Sequence, residues 1–234
     1  MSTLEIEPSS VAPGKQSLID AALRLTSTSR SLSSVGLREL AREAGLNPNT
    51  FYRHFRDVDD LGLTIIRKIA LELRQPLRDL RRAAAERVQH SSANGAELFG
   101  IDLQRSRLVC HETVQLFFDF VEQNPQAFFI GVRELHGSSV LMRKALGELM
   151  DDLALDMADD IRAYKLLPEM LAREVVLEIS GVISRNLFQQ SLDYIALPEK
   201  RGAVRAMAEE QIVMLFTGAS VLQSMGQLQL PVSD

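Results

Sequence analysis

The chain has 234 residues, 26 Lys+Arg against 31 Asp+Glu, a formal net charge of −5 and one cysteine. That length allows an ample core, and the lone Cys110 excludes an intramolecular disulfide and fits a reducing compartment. No apolar run approaches the ~18 residues of a membrane span, and no charged-then-apolar leader occupies residues 1–13, so a cytoplasmic protein without a membrane partner is expected.

The charge is unevenly spread. Residues 1–82 hold 13 Lys+Arg against 10 Asp+Glu, whereas residues 83–234 hold 13 against 21. A mildly basic amino-terminal part and an acidic remainder would turn one end of the molecule toward phosphates and keep the other end away.

Residues 1–14 contain Pro8, Ser9, Ser10 and Pro13 without an apolar period and read as a flexible arm. A first helix is expected from about Lys15, with Leu18, Ala22 and Leu25 inward, fading between Thr26 and Ser34. The next stretch, LRELAREAGLNPNTFYRHF over 37–55, organises the chain. Leu37, Leu40, Ala41 and Ala44 form one apolar helical face, Gly45 can close that helix in the left-handed conformation, and Leu46 can plug the corner. Asn47 followed by Pro48 is a helix-start signal, which predicts a second helix over Pro48–Phe55. Phe51 and Phe55 would turn inward, leaving Asn49, Thr50, Arg53 and His54 on other sides with Tyr52 flanking. Helix, glycine turn, helix, with polar and basic groups on the exposed side of the second helix, suits a DNA major groove.

Asp57 can cap a long fourth helix carrying Leu61, Ile65, Ile69 and Leu73, which Pro76 is expected to interrupt or restart. Ser91, Ser92, Asn94 and Gly95 mark a loop between modules. A helix to about Gln123 follows, with Leu116, Phe117, Phe120 and Val121 on one side; Asn124–Pro125 starts another, ending at Gly137. Ser138 or Ser139 would cap a helix through about Leu166. Two more are expected over Glu169–Tyr194 and Glu199–Gln223, both apolar on more than one face. The first has the stripe Val176, Ile179, Ile183 and Leu187; the second has Met207, Gln211, Met214, Leu215 and Gly218 near one face.

Catalytic and metal chemistry find little support. His54, His90, His111 and His136 lack ligand spacing, and no soft metal site can form around one cysteine, which reads as an inert core thiol. Asp152, Asp156, Asp159 and Asp160 share a helical face that is expected to be solvated surface rather than a hard-cation site. No Gly-x-Ser-x-Gly elbow or phosphate-cradling glycine loop is present. The expectation is a protein that is not an enzyme and needs no cofactor or metal. Phe117, Phe118, Phe120, Phe128, Phe129, Met142, Leu146, Leu149 and Met150 concentrate mid-chain, and as residue types they favour plain helical core over a cavity lining.

The run LRELAREAGLNPNTFYRHF, followed by Asp57, Val58, Asp59, Asp60 and Leu61, resembles the DNA-binding domain of TetR-type transcriptional repressors. The wording FYRHFRDVDDLGL is similar to one branch, the repressors of unsaturated fatty-acid synthesis and desaturation, as more weakly is NPQAF…RE…GSS beginning at Asn124. This resemblance implies an all-α fold: a three-helix helix-turn-helix domain over 15–60, a connecting helix over 61–85, and a helical effector-binding and dimerisation domain over 86–234. It implies a homodimer, paired through the last two helices near Gly181, Gly218, Ala219 and Ser220, repressing from a palindromic double-stranded operator. Asn49 and Thr50 would read base edges, Tyr52, Arg53 and His54 would meet mostly phosphates, and Lys15 and Arg38 would add backbone contacts. Most relatives carry a phosphate-binding lysine where this chain has Val58, a contact that Arg56 could replace. The implied effector is a hydrophobic small molecule, with long-chain acyl-CoA the branch's candidate. Phe117, Phe120, Phe128, Phe129, Met142, Leu146 and Met150 would line its tunnel, and Arg133 and Arg143 would meet its phosphates. Alternatives are the same architecture sensing another hydrophobic ligand such as a drug or quorum signal, a helical enzyme acting on acyl thioesters, or a helical protein adaptor.

Overall fold

The computed structural model describes residues 12–26, 31–89, 97–98, 101–169 and 171–229. Most of the expected arm, His90 and the loop residues Ser91, Ser92, Asn94 and Gly95 lie outside the described residues. Among the described residues the architecture is all-α. Nine helices are joined by single 3-10 turns at Leu32–Ser34 and Pro198–Lys200, with one short antiparallel pairing of Glu97–Leu98 with Ile101–Asp102.

Helix α1 (Pro13–Thr26) buries Leu18, Ile19 and Ala22 against Leu40 of α2 (Leu37–Glu43) and against Phe51 and Phe55. The end of α2 is held by a pair of reverse-turn hydrogen bonds. Gly45 sits at φ +69°, its amide donates to the Arg42 carbonyl at 3.0 Å, and the Leu46 amide donates to the Ala41 carbonyl at 2.8 Å. A residue with a Cβ would be strained there, which is why glycine occupies the corner. The Asn47 side chain then accepts the Asn49 amide at 2.9 Å, with Pro48 in the first turn of α3 (Pro48–Phe51). Regular helix ends earlier than the spacing predicts. From Tyr52 the chain winds on in tighter turns, with Arg53 donating to Thr50 and His54 to Phe51.

Asp57 accepts the Asp60 amide at 2.8 Å and so caps α4 (Val58–Gln89). Contrary to the expectation from Pro76, α4 is continuous through that residue. Pro76 is exposed together with Glu72 and Gln75, so water can replace the amide donor that proline removes.

The remaining body comprises α5 (Leu103–Gln123), α6 (Pro125–Leu135), α7 (Val140–Ala163), α8 (Arg173–Ala196) and α9 (Arg201–Ser224). Ser139 rather than Ser138 caps α7, accepting the Met142 amide at 3.2 Å. Helix α7 closes with the same reverse-turn pattern as α2, but here Lys165 takes the left-handed position at φ +51°. An aromatic cluster fills the centre: Phe117 lies edge-on to Phe118 and Phe128, and Phe118 lies 4.7 Å from Tyr194 between ring centroids.

Two further features orient the helices. Between α4 and α7 runs a charged seam. Arg74 binds Asp152 and Asp156, Arg78 binds Asp156 and Asp160, and Arg81 reaches Asp160 at 2.6 Å. The expectation of a solvated acidic face is therefore corrected for Asp156 and Asp160, which are 4% and 2% exposed; the arginines one turn apart on α4 make their burial tolerable. Asp159 points elsewhere and pairs with Arg173 at 2.9 Å. Helix α9 has two contrasting sides: Ala208, Phe216, Ala219 and Ser220 are buried, while Met207, Met214, Leu222 and Met225 are exposed.

Candidate nucleic-acid interface and effector cleft

The reading unit is built on two locked rings. Phe51 is fully buried and Phe55 nearly so, with their ring centroids 5.7 Å apart, which fixes the rotation of the α3 segment about its own axis. Asn49 and Arg53 are consequently exposed, Tyr52 is 64% exposed, and Thr50 is half-buried. Arg38 of α2 is exposed as well. Among the described residues no hydrogen bond holds the side chains of Arg38, Asn49, Thr50, Tyr52 or Arg53, so those groups are available to a partner.

Two predicted contacts sit differently. Lys15 is half-buried with its ammonium 5.5 Å from the centroid of the Phe55 ring. His54 packs its ring against the start of α1, where a Cβ on Gly14 would come within 2.8 Å of Nε2. Val58 is partly buried against the core, whereas the Arg56 side chain is 84% exposed and only 3.8 Å from Asp60, free to swing outward.

The reading unit and the body meet at the end of α6. Glu134 is fully buried and accepts the Leu32 amide at 2.7 Å through Oε1; Arg133 donates to the Thr26 carbonyl at 2.7 Å; Ser138 donates to the Ser33 hydroxyl at 3.1 Å. Gly62 lets α4 approach closely here, since a Cβ would strike Met142 of α7 and Leu32.

The residues expected to line an acyl tunnel do not share one cavity. Phe117 and Phe128 belong to the ring cluster, Phe120 flanks it 6.1 Å from Phe128, and Met150 is buried in the core. Phe128 and Leu146 border a small space of about 310 Å³ with Ile65, Ile69 and Gly131. Met142 fills the joint beside Gly62. Arg133 stacks on Phe129 at 5.4 Å besides binding Thr26, and Arg143 donates to the Gly137 carbonyl.

A more apolar cleft, about 660 Å³ when the space open to solvent is counted, lies elsewhere, among α5, the end of α7 and α9. Leu103, Val109, Met157, Ile161, Val213 and Phe216 line it, together with Cys110. Burial, reinforced by the nearby Glu209 carboxylate and only partly opposed by Arg107, pushes the Cys110 thiol up to about 12. Sequence reading missed this cleft because its walls come from three distant segments, none of which has an unusual composition.

Residues 18–63 match the family described as bacterial regulatory proteins, tetR family. The fold is similar to that of the fatty acid degradation regulator FadR from Bacillus halodurans, with TM-score 0.57 and 12% identity over 90% of this chain and 98% of that one. It is also similar to FadR from Bacillus subtilis in complex with stearoyl-CoA, with TM-score 0.53 and 14% identity over 87% and 98%. Reduced E. coli NemR gives TM-score 0.57 and 15% identity over 88% and 98%. At these identities the structural likeness speaks for the fold alone. Residues 18–63 thus match the amino-terminal domain of the tetR family, and they sit on an all-helical fold similar to that of these solved regulators.

Proposed function

We propose that the protein acts as a homodimeric repressor that binds a palindromic DNA operator and releases or tightens it in response to a hydrophobic small molecule. The observation that carries this reading is the exposed, unheld set of Asn49, Tyr52 and Arg53 on a reading unit fixed by Phe51 and Phe55. Each subunit sets its α3 segment into a major groove. Asn49 and Thr50 meet base edges there, while Tyr52 and Arg53, helped by Arg38 and Arg56, grip phosphates. Lys15 and His54 act from the α1 side, largely by bracing.

Dimerisation through α8 and α9 is supported by the uncovered side of α9. Met207, Met214 and Val221 recur every seventh residue, interleaved with Gln211, Gly218 and Met225, the period of a helix seam. No atom lies within 4 Å of a Cβ built on Gly218, so a partner helix has room to approach. Long-chain acyl-CoA is the candidate effector and lipid-metabolism genes the candidate targets. The sequence resemblance supports both, and one structural neighbour was solved with stearoyl-CoA. We read the chain as a binder and not a catalyst, so purified protein should leave acyl-CoA unhydrolysed.

The test is selection of bound fragments from the source genome with and without oleoyl-CoA. An enriched palindrome whose recovery changes with the thioester is expected; a palindrome indifferent to it discards the acyl-CoA effector, and no enrichment discards the regulator. Tyr52→Ala and Arg53→Ala should each weaken operator binding by about 1–3 kcal/mol with the dimer intact. Unchanged affinity in both, measured by fluorescence anisotropy, would refute the assigned DNA face.

A further inference from the structure

Two helix ends in the reading unit present backbone groups that their own helices do not satisfy. Thr26 is the last residue of α1, where a carbonyl finds no amide within its own helix. Leu32 opens the 3-10 turn Leu32–Ser34, and Ser31 before it makes no side-chain cap. Both groups are met from α6, by adjacent residues of opposite charge. The Arg133 guanidinium donates to the Thr26 carbonyl at 2.7 Å, and the Glu134 carboxyl accepts the Leu32 amide at 2.7 Å. Each sign suits its end, since a helix carries partial negative charge at its last carbonyls and partial positive charge at its first amides. Thr26 and Glu134 are fully buried and Leu32 nearly so, which keeps water from competing for these bonds. Glu134 sits there at a cost: its second oxygen has no hydrogen-bond partner among the described residues, and it lies over Gly137, where a side chain would collide with it.

We propose that Arg133 and Glu134 are positioning residues that set which spacing between half-sites the protein accepts in DNA. The assignment rests on the regulator reading above. A reading unit carried by α4 alone can tilt about the start of that helix. Bonds from α6 to the end of α1 and to Leu32 add a second attachment and remove that freedom. The separation of the two α3 segments in a dimer is then set by the protein and not by the DNA. One base pair added between half-sites shifts one of them by about 3.4 Å and turns it by about 34° around the duplex. A reading unit fixed at two places cannot follow that displacement, whereas one released from α6 can follow part of it. The α3 side chains thus read the half-site, and this pair of residues reads the gap.

The test takes the full chain through selection from a random duplex library. Fluorescence anisotropy then gives its affinity for the recovered palindrome and for versions with one base pair inserted or removed at the centre. The wild type should lose about ten-fold or more on either change, as it would for one badly met base pair. Arg133→Met and Glu134→Ala should each lose less than about three-fold relative to their own affinity for the parent palindrome. Glu134→Gln, which keeps an acceptor for Leu32, should discriminate as the wild type does. Deuterium exchange of the protein without DNA checks the joint itself: the Leu32 amide should exchange about ten-fold faster or more in Glu134→Ala than in the wild type. If Glu134→Ala does not unfold cooperatively in urea, Arg133→Met carries the test. Discrimination between spacings that survives both loosened variants would overturn the assignment, as would affinity lost alike at every spacing, or a Leu32 amide that exchanges equally fast with and without Glu134. A wild type that recovers no palindrome would sink the regulator reading itself, and the spacing role with it.

Discussion

The seam between α4 and α7 and the outer side of α9 reverse the usual disposition of a folded chain. The first buries charge, with Arg81, Asp156 and Asp160 all under 5% exposed; the second leaves Met207, Met214 and Met225 more than half exposed. Charge can go inside because every carboxylate of the seam meets a guanidinium. Exposed apolar surface on one helix side is what a second subunit would cover in the proposed dimer. One region is complete in a single chain, and on that proposal the other is completed by a partner.

The sharpest way to break this contrast is to orphan a buried charge. Asp160→Ala strips Arg81 of its partner and should cost about 3–5 kcal/mol in urea unfolding. The paired variant Arg81→Met with Asp160→Leu should recover most of that loss. If the single variant costs under 1 kcal/mol, the seam is solvated and the contrast collapses.

On the outer side the expected pattern is opposite. Met214→Asp should leave unfolding of the protomer within about 0.5 kcal/mol of wild type. Because a two-fold interface meets the change twice, association seen by sedimentation velocity should weaken by roughly 100-fold. A dimer that survives this change places the interface elsewhere.

Between the two regions lies Cys110, whose thiol is pushed up to about 12 while an unfolded cysteine keeps its ordinary value near 9. The folded state therefore holds its proton more firmly. Its stabilising effect is fully present below about pH 9 and is lost as pH rises toward 12. Iodoacetamide should accordingly modify native protein far more slowly than urea-unfolded protein at pH 8, with native reactivity still climbing above pH 10. A rate that saturates near pH 9 would show that water reaches the inner side of α9.

The smallest effect concerns the end of α7. Lys165 is an exposed residue in the left-handed conformation, so Lys165→Gly should stabilise the protein by about 0.5–1 kcal/mol. A loss of stability would mean that the lysine side chain contributes something its backbone strain conceals.

Legibility in the sequence tracked how local the physics is. The Gly45 corner, the Asn47 and Asp57 caps and the inward turn of Phe51 and Phe55 were readable, because each depends on residues within one helical turn. Pro76 misled, because its cost depends on which side of α4 meets solvent, and the four-residue periodicity does not say so. The aspartates of α7 misled for the converse reason. An acidic stripe is surface by default, and only the matching spacing of Arg74, Arg78 and Arg81, some 80 residues earlier, hinted at its partner. The joint made by Arg133, Glu134 and Thr26 was invisible, since its bonds reach across more than 100 positions to backbone groups that have no side-chain signature.

The seam has one more property, which lies in its stagger. Arg74 straddles Asp152 and Asp156, and Arg78 straddles Asp156 and Asp160, each spanning two carboxylates a turn apart. Sideways separation of α4 from α7 would strip every pair together. For Arg74 and Arg78 a lengthwise slip of part of the ~5.4 Å pitch would only trade one carboxylate for its neighbour, whereas Arg81 has Asp160 alone. The stagger would make the seam stiff across its width and more forgiving along its length, with the Arg81–Asp160 pair as its stop.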